Sequence, residues 1–129
     1  MNTEVEKYIE ELQQIQNFLE ENVDNTDANV LCNRLSKITI YLPRLCAILP
    51  ELKDQQQIEV VKVIEENKDF IANLKMTVAN KFLEGKTHEI NKFVNWCEYL
   101  YKTMVHIGDN MRTQISFAKQ EMVLSRSGY

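Results

Sequence analysis

Glycine and proline are rare in this chain, whose 129 residues contain only 3 Gly and 2 Pro. An all-β fold needs many tight turns, and these two residue types supply the backbone conformations that many turns require. A chain with so few of them is expected to form a small number of long helices. Its length suits one domain that can bury a core without disulfides or metals. The sequence therefore predicts an all-α fold, with a single helical domain over residues 1–124.

The first predicted helix has both a start signal and an apolar face. Thr3 and Glu6 have the spacing of a capping box, in which each side chain accepts a hydrogen bond from the other residue's backbone N–H. The helix should end near Glu21 or Asn22, where a polar, turn-prone stretch begins. The apolar residues that recur at spacings of three and four, and thus share one face, are Val5, Tyr8, Ile9, Leu12, Ile15 and Leu19.

The second predicted helix carries an apolar pattern that conflicts with its prolines. Pro43 and Pro50 each remove a helical hydrogen bond and clash with the carbonyl four residues earlier. We therefore expect helix over Asp27–Leu42, a kink at Pro43, a short continuation to Leu49 and a connector over residues 50–54. The apolar residues themselves continue through both prolines as a heptad-like seam, typical of coiled coils, that comprises Leu31, Leu35, Ile38, Leu42, Leu45, Leu49 and Leu52.

The C-terminal half predicts two long amphipathic helices, helix three over Asp54–Glu84 and helix four over Thr87–Leu124. Gly85 can adopt the left-handed conformation that often follows a helix, and Thr87 is a good N-cap. A turn this short forces the two helices to be antiparallel. The sequence therefore predicts an elongated four-helix bundle built on a long antiparallel C-terminal hairpin, followed by a short non-helical tail over residues 125–129.

Asn67 occupies one position on the otherwise apolar seam of helix three. One interpretation is a polar residue that fixes the register between paired helices, at a cost in stability. The alternative is an asparagine at the edge of the seam whose side chain reaches water.

The sequence contains no recognisable catalytic, metal or nucleotide-binding motif. His88 and His106 lack the glutamate three residues earlier that a di-metal carboxylate bundle requires, and three glycines cannot build a phosphate-binding loop. Cys32, Cys46 and Cys97 include no C-x-x-C pair, so we expect buried, reduced thiols in apolar helical stretches. The sequence therefore predicts a protein that is not an enzyme, that holds no cofactor or metal, and that is cytoplasmic.

Charge is unevenly distributed along the chain, whose formal net charge is -4. Residues 1–27 contain eight acids against one lysine, a balance of −7. Later basic residues are scattered among acids, so nucleic-acid binding is not expected. We find no signal-peptide pattern and no run of about 18 apolar residues, so no membrane association is expected. The acidic face of helix one could imitate a phosphate array on another protein's basic site, and it comprises Glu10, Glu11, Glu20 and Glu21.

Helix four has apolar residues on more than one face, which is typical of a helix that is deeply buried or that meets a second partner. We therefore expect a non-enzymatic protein–protein interaction or assembly module, which forms a homo-oligomer or docks a protein partner through the distal part of helix four. The alternative is a small inhibitor or regulatory protein that binds one macromolecular target through its acidic first helix or through helix four. The candidate interface residues are Trp96, Tyr99, Met111, Phe117 and Met122.

Overall fold

The structure, a computed structural model, describes residues 3–23 and 26–126 of the chain. These residues form five α-helices and no strand, which confirms the predicted all-α class. Of the predicted non-helical tail, Ser125 and Arg126 belong to the last helix, and residues 127–129 lie outside the described residues. The helices are α1 (Thr3–Glu20), α2 (Ala28–Glu66), α3 (Lys68–Ala72), α4 (Met76–Lys86) and α5 (His88–Arg126).

The two longest helices, α2 and α5, form the central pair of the fold and lie antiparallel. At one end of the pair, Gln56 Nε2 donates to Asn91 Oδ1 at 2.6 Å. Further along, Gly108 of α5 faces Ile38 of α2, whose Cγ2 would lie 3.6 Å from a methyl group added at Gly108. Residue numbers therefore fall along α2 as they rise along α5, so the long antiparallel pair is α2 with α5.

Helix α1 packs across the α2–α5 pair and completes a three-helix core. Its apolar face contributes Val5, Leu12, Ile15 and Phe18, which are all buried. Burial of one such side chain stabilises the folded state by about 1.5–3 kcal/mol. The remaining buried apolar residues come from the other two helices and are Leu31, Ile38, Leu45, Ile48, Leu52, Ile90, Val94, Cys97, Leu100, Met104, Met111 and Ile115.

Polar contacts fix the position of α1 on the pair. The Arg34 guanidinium is buried, lies 4.3 Å from the centre of the Phe18 ring, and donates to the Phe18 carbonyl oxygen at 3.2 Å. The same side chain donates to Glu21 Oε2 at 3.2 Å. At the middle of α1, Arg44 donates to the Glu11 carboxylate at 2.7 Å. These contacts give α1 a defined register against α2, in addition to its apolar burial.

Helix α2 spans both prolines without interruption, so the predicted division near Leu49 and the connector over residues 50–54 are wrong. The kink at Pro43 is not confirmed. Pro43 and Pro50 are exposed and seven residues apart, so they lie on the solvent side of the helix. The carbonyls that they leave without helical donors belong to Thr39 and Cys46, which are also exposed residues. Water can therefore replace the two missing hydrogen bonds, and the apolar seam keeps the helix continuous.

Asn67 ends α2 and does not fix register on a paired seam, so that interpretation is wrong. Its side-chain Nδ2 donates to the Val63 carbonyl oxygen at 2.9 Å, and its backbone N–H donates to the carbonyls of Val63 and Ile64. Asn73 repeats the pattern at the end of α3, where Nδ2 donates to the Asp69 carbonyl oxygen at 3.0 Å. Asparagine side chains compete with the backbone for carbonyl acceptors, which favours helix ends. The predicted helix three therefore divides into the end of α2, α3 and α4.

The end of α4 also differs from the sequence prediction. The helix continues through Gly85 to Lys86, and Thr87 separates it from α5. Thr87 Oγ1 donates to the Leu83 carbonyl oxygen at 2.7 Å and accepts from Asn91 Nδ2 at 3.1 Å. A single intervening residue replaces the predicted turn at Gly85, so the hairpin expected there and the four-helix arrangement built on it are not confirmed.

The stretch between the three-helix core and the start of α5 has little core of its own. No residue between Lys53 and Lys86 is buried. Several of its large apolar side chains are exposed, including Phe70, Met76 and Val78. Its helices are held mainly by their own backbone hydrogen bonds and by the edge of the α2–α5 pair.

We expect residues 67–86 to exchange amide hydrogens faster than the core helices, because their local opening exposes little buried apolar surface. Hydrogen exchange followed by mass spectrometry should show peptides from 67–86 fully labelled while peptides from 31–52 and 90–115 keep their protection. Equal protection across all three segments would contradict this picture of a weakly held region.

Candidate interaction surface

The last part of α5 extends past the helices that cover the rest of it. Ala28, where α2 begins, lies ten residues before Ile38, and Ala118 lies ten residues after Gly108. Because Ile38 contacts Gly108 and the two helices are antiparallel with the same rise per residue, Ala28 lies beside Ala118. Ile115 is the last buried residue of α5, and Ala118 is half-buried. We call residues 116–126 the α5 extension, which at 1.5 Å per residue is about 16 Å long.

The α5 extension keeps the apolar pattern of the covered part of the helix. Met104, Met111 and Ile115 are buried on the face that packs against α1 and α2. Ala118 and Met122 follow at spacings of three and four, so they continue the same face. Met122 is nevertheless 51% exposed. A core-type face thus continues beyond the point where α2 begins.

The structure divides the five predicted interface residues into three groups. Met111 and Trp96 belong to the protein's own core: Met111 is buried, and Trp96 is half-buried with its Nε1 donating to Gln16 Oε1 of α1 at 3.0 Å. Tyr99 is exposed in the middle of α5. Phe117 and Met122 are exposed on the α5 extension, Phe117 by 62%. Of the five predicted residues, these two are the ones exposed on the α5 extension, where Val123 and Leu124 are exposed as well.

Basic residues accompany the apolar ones on this part of α5. Arg112, Lys119 and Arg126 are seven residues apart, and residues at that spacing lie within about 20° of one line on an α-helix. Residues 112–126 contain these three cations and one acid, Glu121, a formal balance of +2. Arg112 pairs with Asp109 at 3.0 Å, and both side chains remain more than half exposed. The line of cations therefore faces solvent.

A second exposed apolar surface, which sequence reasoning missed, lies near the end of α2. Ile58 and Val61 are 54% and 50% exposed. Glu51 and Glu65 lie seven residues before and after Ile58, and Asp54 lies four before it, so these acids share its face. We call these five residues the α2 patch. The sequence signal was present, because residues 58–64 carry apolar residues all round the helix, but their spacing does not show which of them another helix covers.

The acidic face predicted for α1 is partly used inside the fold. Glu11 pairs with Arg44, and Glu21 pairs with Arg34. Glu20 accepts a hydrogen bond from Gln16, and Glu10 is exposed. Two of the four carboxylates, Glu11 and Glu21, therefore pair with arginines of α2, and all four side chains remain at least partly exposed.

A polar cleft of about 580 Å³ lies between α2, α4 and α5. Its floor includes the hydrogen-bonded chain in which Gln56 donates to Asn91 and Asn91 donates to Thr87. These neutral groups position helices, and the two titratable residues that line the same cleft are Glu84 and His88. Within the described ranges, no group of three or more histidine, cysteine or acidic side chains could hold a metal ion.

The cysteines differ in burial, contrary to the expectation that all three are buried. Cys32 and Cys46 are exposed, whereas Cys97 is buried with its Sγ 3.8 Å from the Leu45 carbonyl oxygen. Burial, with smaller contributions from Glu98 and Cys46, raises the pKa of the Cys97 thiol to about 11. A thiolate is the reactive form, so Cys97 is suited to packing and not to nucleophilic chemistry.

Glu59 of α2 lies in surroundings that disfavour the ionised form of its carboxyl group. Its Oε2 is buried and has no hydrogen-bond partner among residues 3–23 and 26–126. Burial, followed by repulsion from Glu89 of α5, raises the pKa of the Glu59 carboxyl above its ordinary value. The contact between α2 and α5 at this end is therefore weakened when Glu59 ionises.

Comparison of the chain with protein-family models, with curated proteins and with solved structures gave no match. Among the residues that the structure describes, no helix is both long enough and apolar enough to cross a membrane.

The thiols should react in two classes. At pH 8 about one Cys97 thiol in a thousand is ionised, given a pKa of about 11. Alkylation with iodoacetamide, followed by mass spectrometry of the intact chain, should show two fast additions and a third that requires denaturant. Rapid modification of all three sites in the folded protein would contradict the buried position of Cys97.

We expect Glu59→Gln to raise the melting temperature at pH 7. The folded protein favours protonated Glu59, so this residue adds stability below its unfolded pKa, and that contribution is lost as the pH rises through the raised folded pKa. The gain should therefore shrink as the pH falls toward about 4.3, the ordinary glutamate value. Thermal unfolding followed by circular dichroism provides the measurement, with exposed Glu66→Gln as the matched control. A lower melting temperature for Glu59→Gln at pH 7 would show that the carboxylate is stabilising.

Proposed function

We propose that the protein is a non-enzymatic helical interaction module whose α5 extension is its docking surface, for a second copy of the chain or for another protein. The observation that supports this most directly is the continuation of the core-type face of α5 beyond α2, where Met122 is 51% exposed. An exposed apolar face that continues a buried one is typical of a surface that another helix covers. The neighbouring cations keep this face soluble and add directionality to the contact.

The alternative, an inhibitor that presents an acidic helix to one target, receives less support. Glu11 and Glu21 pair with arginines of the same chain. Their negative charge is partly compensated within the fold, so the acidic side of α1 offers a weaker imitation of a phosphate array than the sequence indicates.

Replacement of Phe117 and Met122 by Asp should abolish assembly and preserve the fold. Aspartate at position 122 would place a charge on the continued core-type face, and aspartate at position 117 would place a second charge on another side of the α5 extension, about 140° around the helix. Both positions are exposed and carry little of the core. Sedimentation equilibrium over a concentration series should give the variant a dissociation constant at least about tenfold higher than that of the wild type. This difference corresponds to about 1.4 kcal/mol of association free energy.

Ile40→Asp is the matched control, because Ile40 is 63% exposed on α2 and lies far from the α5 extension. The control should associate as the wild type does, and circular dichroism should give the same helix content for all variants. Loss of helicity in the Phe117 and Met122 variant would mean that these residues stabilise the fold. Unchanged association of that variant would remove the α5 extension as the docking surface.

A further inference from the structure

We propose that copies of this chain associate head to tail, with the α5 extension of one copy docked on the α2 patch of the next. This inference rests on the proposed function, because it names the occupant of the docking surface described there. It adds the surface on the second copy that the α5 extension contacts, and the head-to-tail orientation of the two copies.

The two surfaces lie at opposite ends of the molecule. The α2 patch is beside the start of α5, since Gln56 contacts Asn91 there. The α5 extension lies past Ala28, where α2 begins. Thirty residues of helix separate Ala28 from Ile58, a distance of about 45 Å. A chain cannot fold one surface onto its own other surface over this length of rigid helix, so the contact between them must join two copies.

Both surfaces are partly apolar strips along one exposed side of a single helix. The α2 strip carries Ile58 and Val61, with Lys62 and Glu65 beside them. On α5, Met122 and Val123 lie on either side of the line of cations, exposed by 51% and 63%. Two apolar side chains on each copy thus form the centre of the proposed contact.

The charges of the two surfaces are complementary. The three acids of the α2 patch share their face with one lysine, Lys62, a balance of −2, whereas residues 112–126 of α5 have a balance of +2. The outer acids of the patch, Glu51 and Glu65, are fourteen residues apart, as are Arg112 and Arg126. Both pairs therefore span about 21 Å. Opposite charges can meet at both ends of one contact, with the apolar side chains between them.

A symmetric contact between two α5 extensions is electrostatically less favourable. In a two-fold contact the same surface of each copy meets itself, so the line of Arg112, Lys119 and Arg126 would face a second such line. Like charges at close range oppose association. The head-to-tail contact brings the same cations against carboxylates. For this reason the second copy's α2 patch, and not its α5 extension, is the occupant that the structure favours.

The decisive experiment mixes two variants that are each deficient in one surface. The first is the Phe117→Asp and Met122→Asp variant, which keeps the α2 patch. The second is an Ile58→Asp and Val61→Asp variant, which keeps the α5 extension. Analytical ultracentrifugation should show wild-type association that grows with concentration, each variant alone as a monomer, and an equimolar mixture that forms a heterodimer and nothing larger. Circular dichroism of each variant checks that the fold is kept.

The outcomes separate this inference from the proposed function. If the Ile58 and Val61 variant associates alone as the wild type does, the head-to-tail contact is wrong while docking through the α5 extension stands. If the Phe117 and Met122 variant associates as the wild type does, the proposed function fails. A wild type that remains monomeric at about 1 mM overturns self-association through either surface, and docking of another protein would then be the surviving form of the proposed function.

Charge reversal gives an independent readout. The variant that combines Arg112→Glu, Lys119→Glu and Arg126→Glu should not associate alone. The variant that combines Glu51→Lys, Asp54→Lys and Glu65→Lys should not associate alone either, and a mixture of the two should associate again. Wild-type association should also weaken between 0.1 M and 1 M salt, because the screening length falls from about 10 Å to about 3 Å. Failure of the mixture to associate, or insensitivity of the wild type to salt, would show that charge does not select this contact.

Discussion

The antiparallel contact between α2 and α5 is the interaction on which the other features depend. It buries one seam from each helix, and its two faces provide the groove into which α1 packs. Helices α2 and α5 are both 39 residues long, but they are shifted along each other, so their ends do not coincide. Each helix therefore extends past the end of the other. At one end α5 continues past the start of α2, and at the other α2 carries the exposed Ile58 and Val61. The offset between two equal helices thus leaves the α5 extension uncovered, whereas the α2 patch lies on the side of α2 that faces away from the core.

Polar residues determine where the helices end and in which register they pack. Apolar residues supply most of the stability of that packing. Asn67 and Asn73 end α2 and α3 by donating side-chain hydrogen bonds to carbonyls four residues earlier. Arg34 carries a charge into the core, where the Phe18 ring and carbonyl and the Glu21 carboxylate compensate it in part. Its Nε has no hydrogen-bond partner in the part of the chain that the structure describes. The Glu21 side chain is 51% exposed, so solvent weakens its attraction to Arg34.

Sequence reasoning predicted the helical class and the apolar seam of α2, because burial imposes a spacing of three and four residues that is visible in the sequence itself. It failed where two local rules disagreed. Pro43 and Pro50 indicated a break, but both face solvent, a fact that depends on which side of the helix packs. Asn67 fitted a seam by its spacing, yet its side chain ends the helix. The α2 patch was assigned to an intramolecular hairpin, since spacing shows that a face is apolar without showing which helix covers it.

The sequence separation of the α2–α5 contacts has a consequence for how the chain folds. Gln56 and Asn91 are 35 residues apart, the Leu45–Cys97 contact spans 52, and the Gln16–Trp96 contact that fastens α1 spans 80. Closure entropy rises by about 0.6 kcal/mol for each doubling of the loop. The entropic cost of bringing α2 and α5 together is therefore lowest where α2 meets the start of α5. Once that end has formed, each further contact between the two helices closes only a short additional loop. Contacts then close in zipper fashion toward Ile38 and Gly108, and the weakly held α3–α4 segment acts as the loop that sets the initial entropic cost.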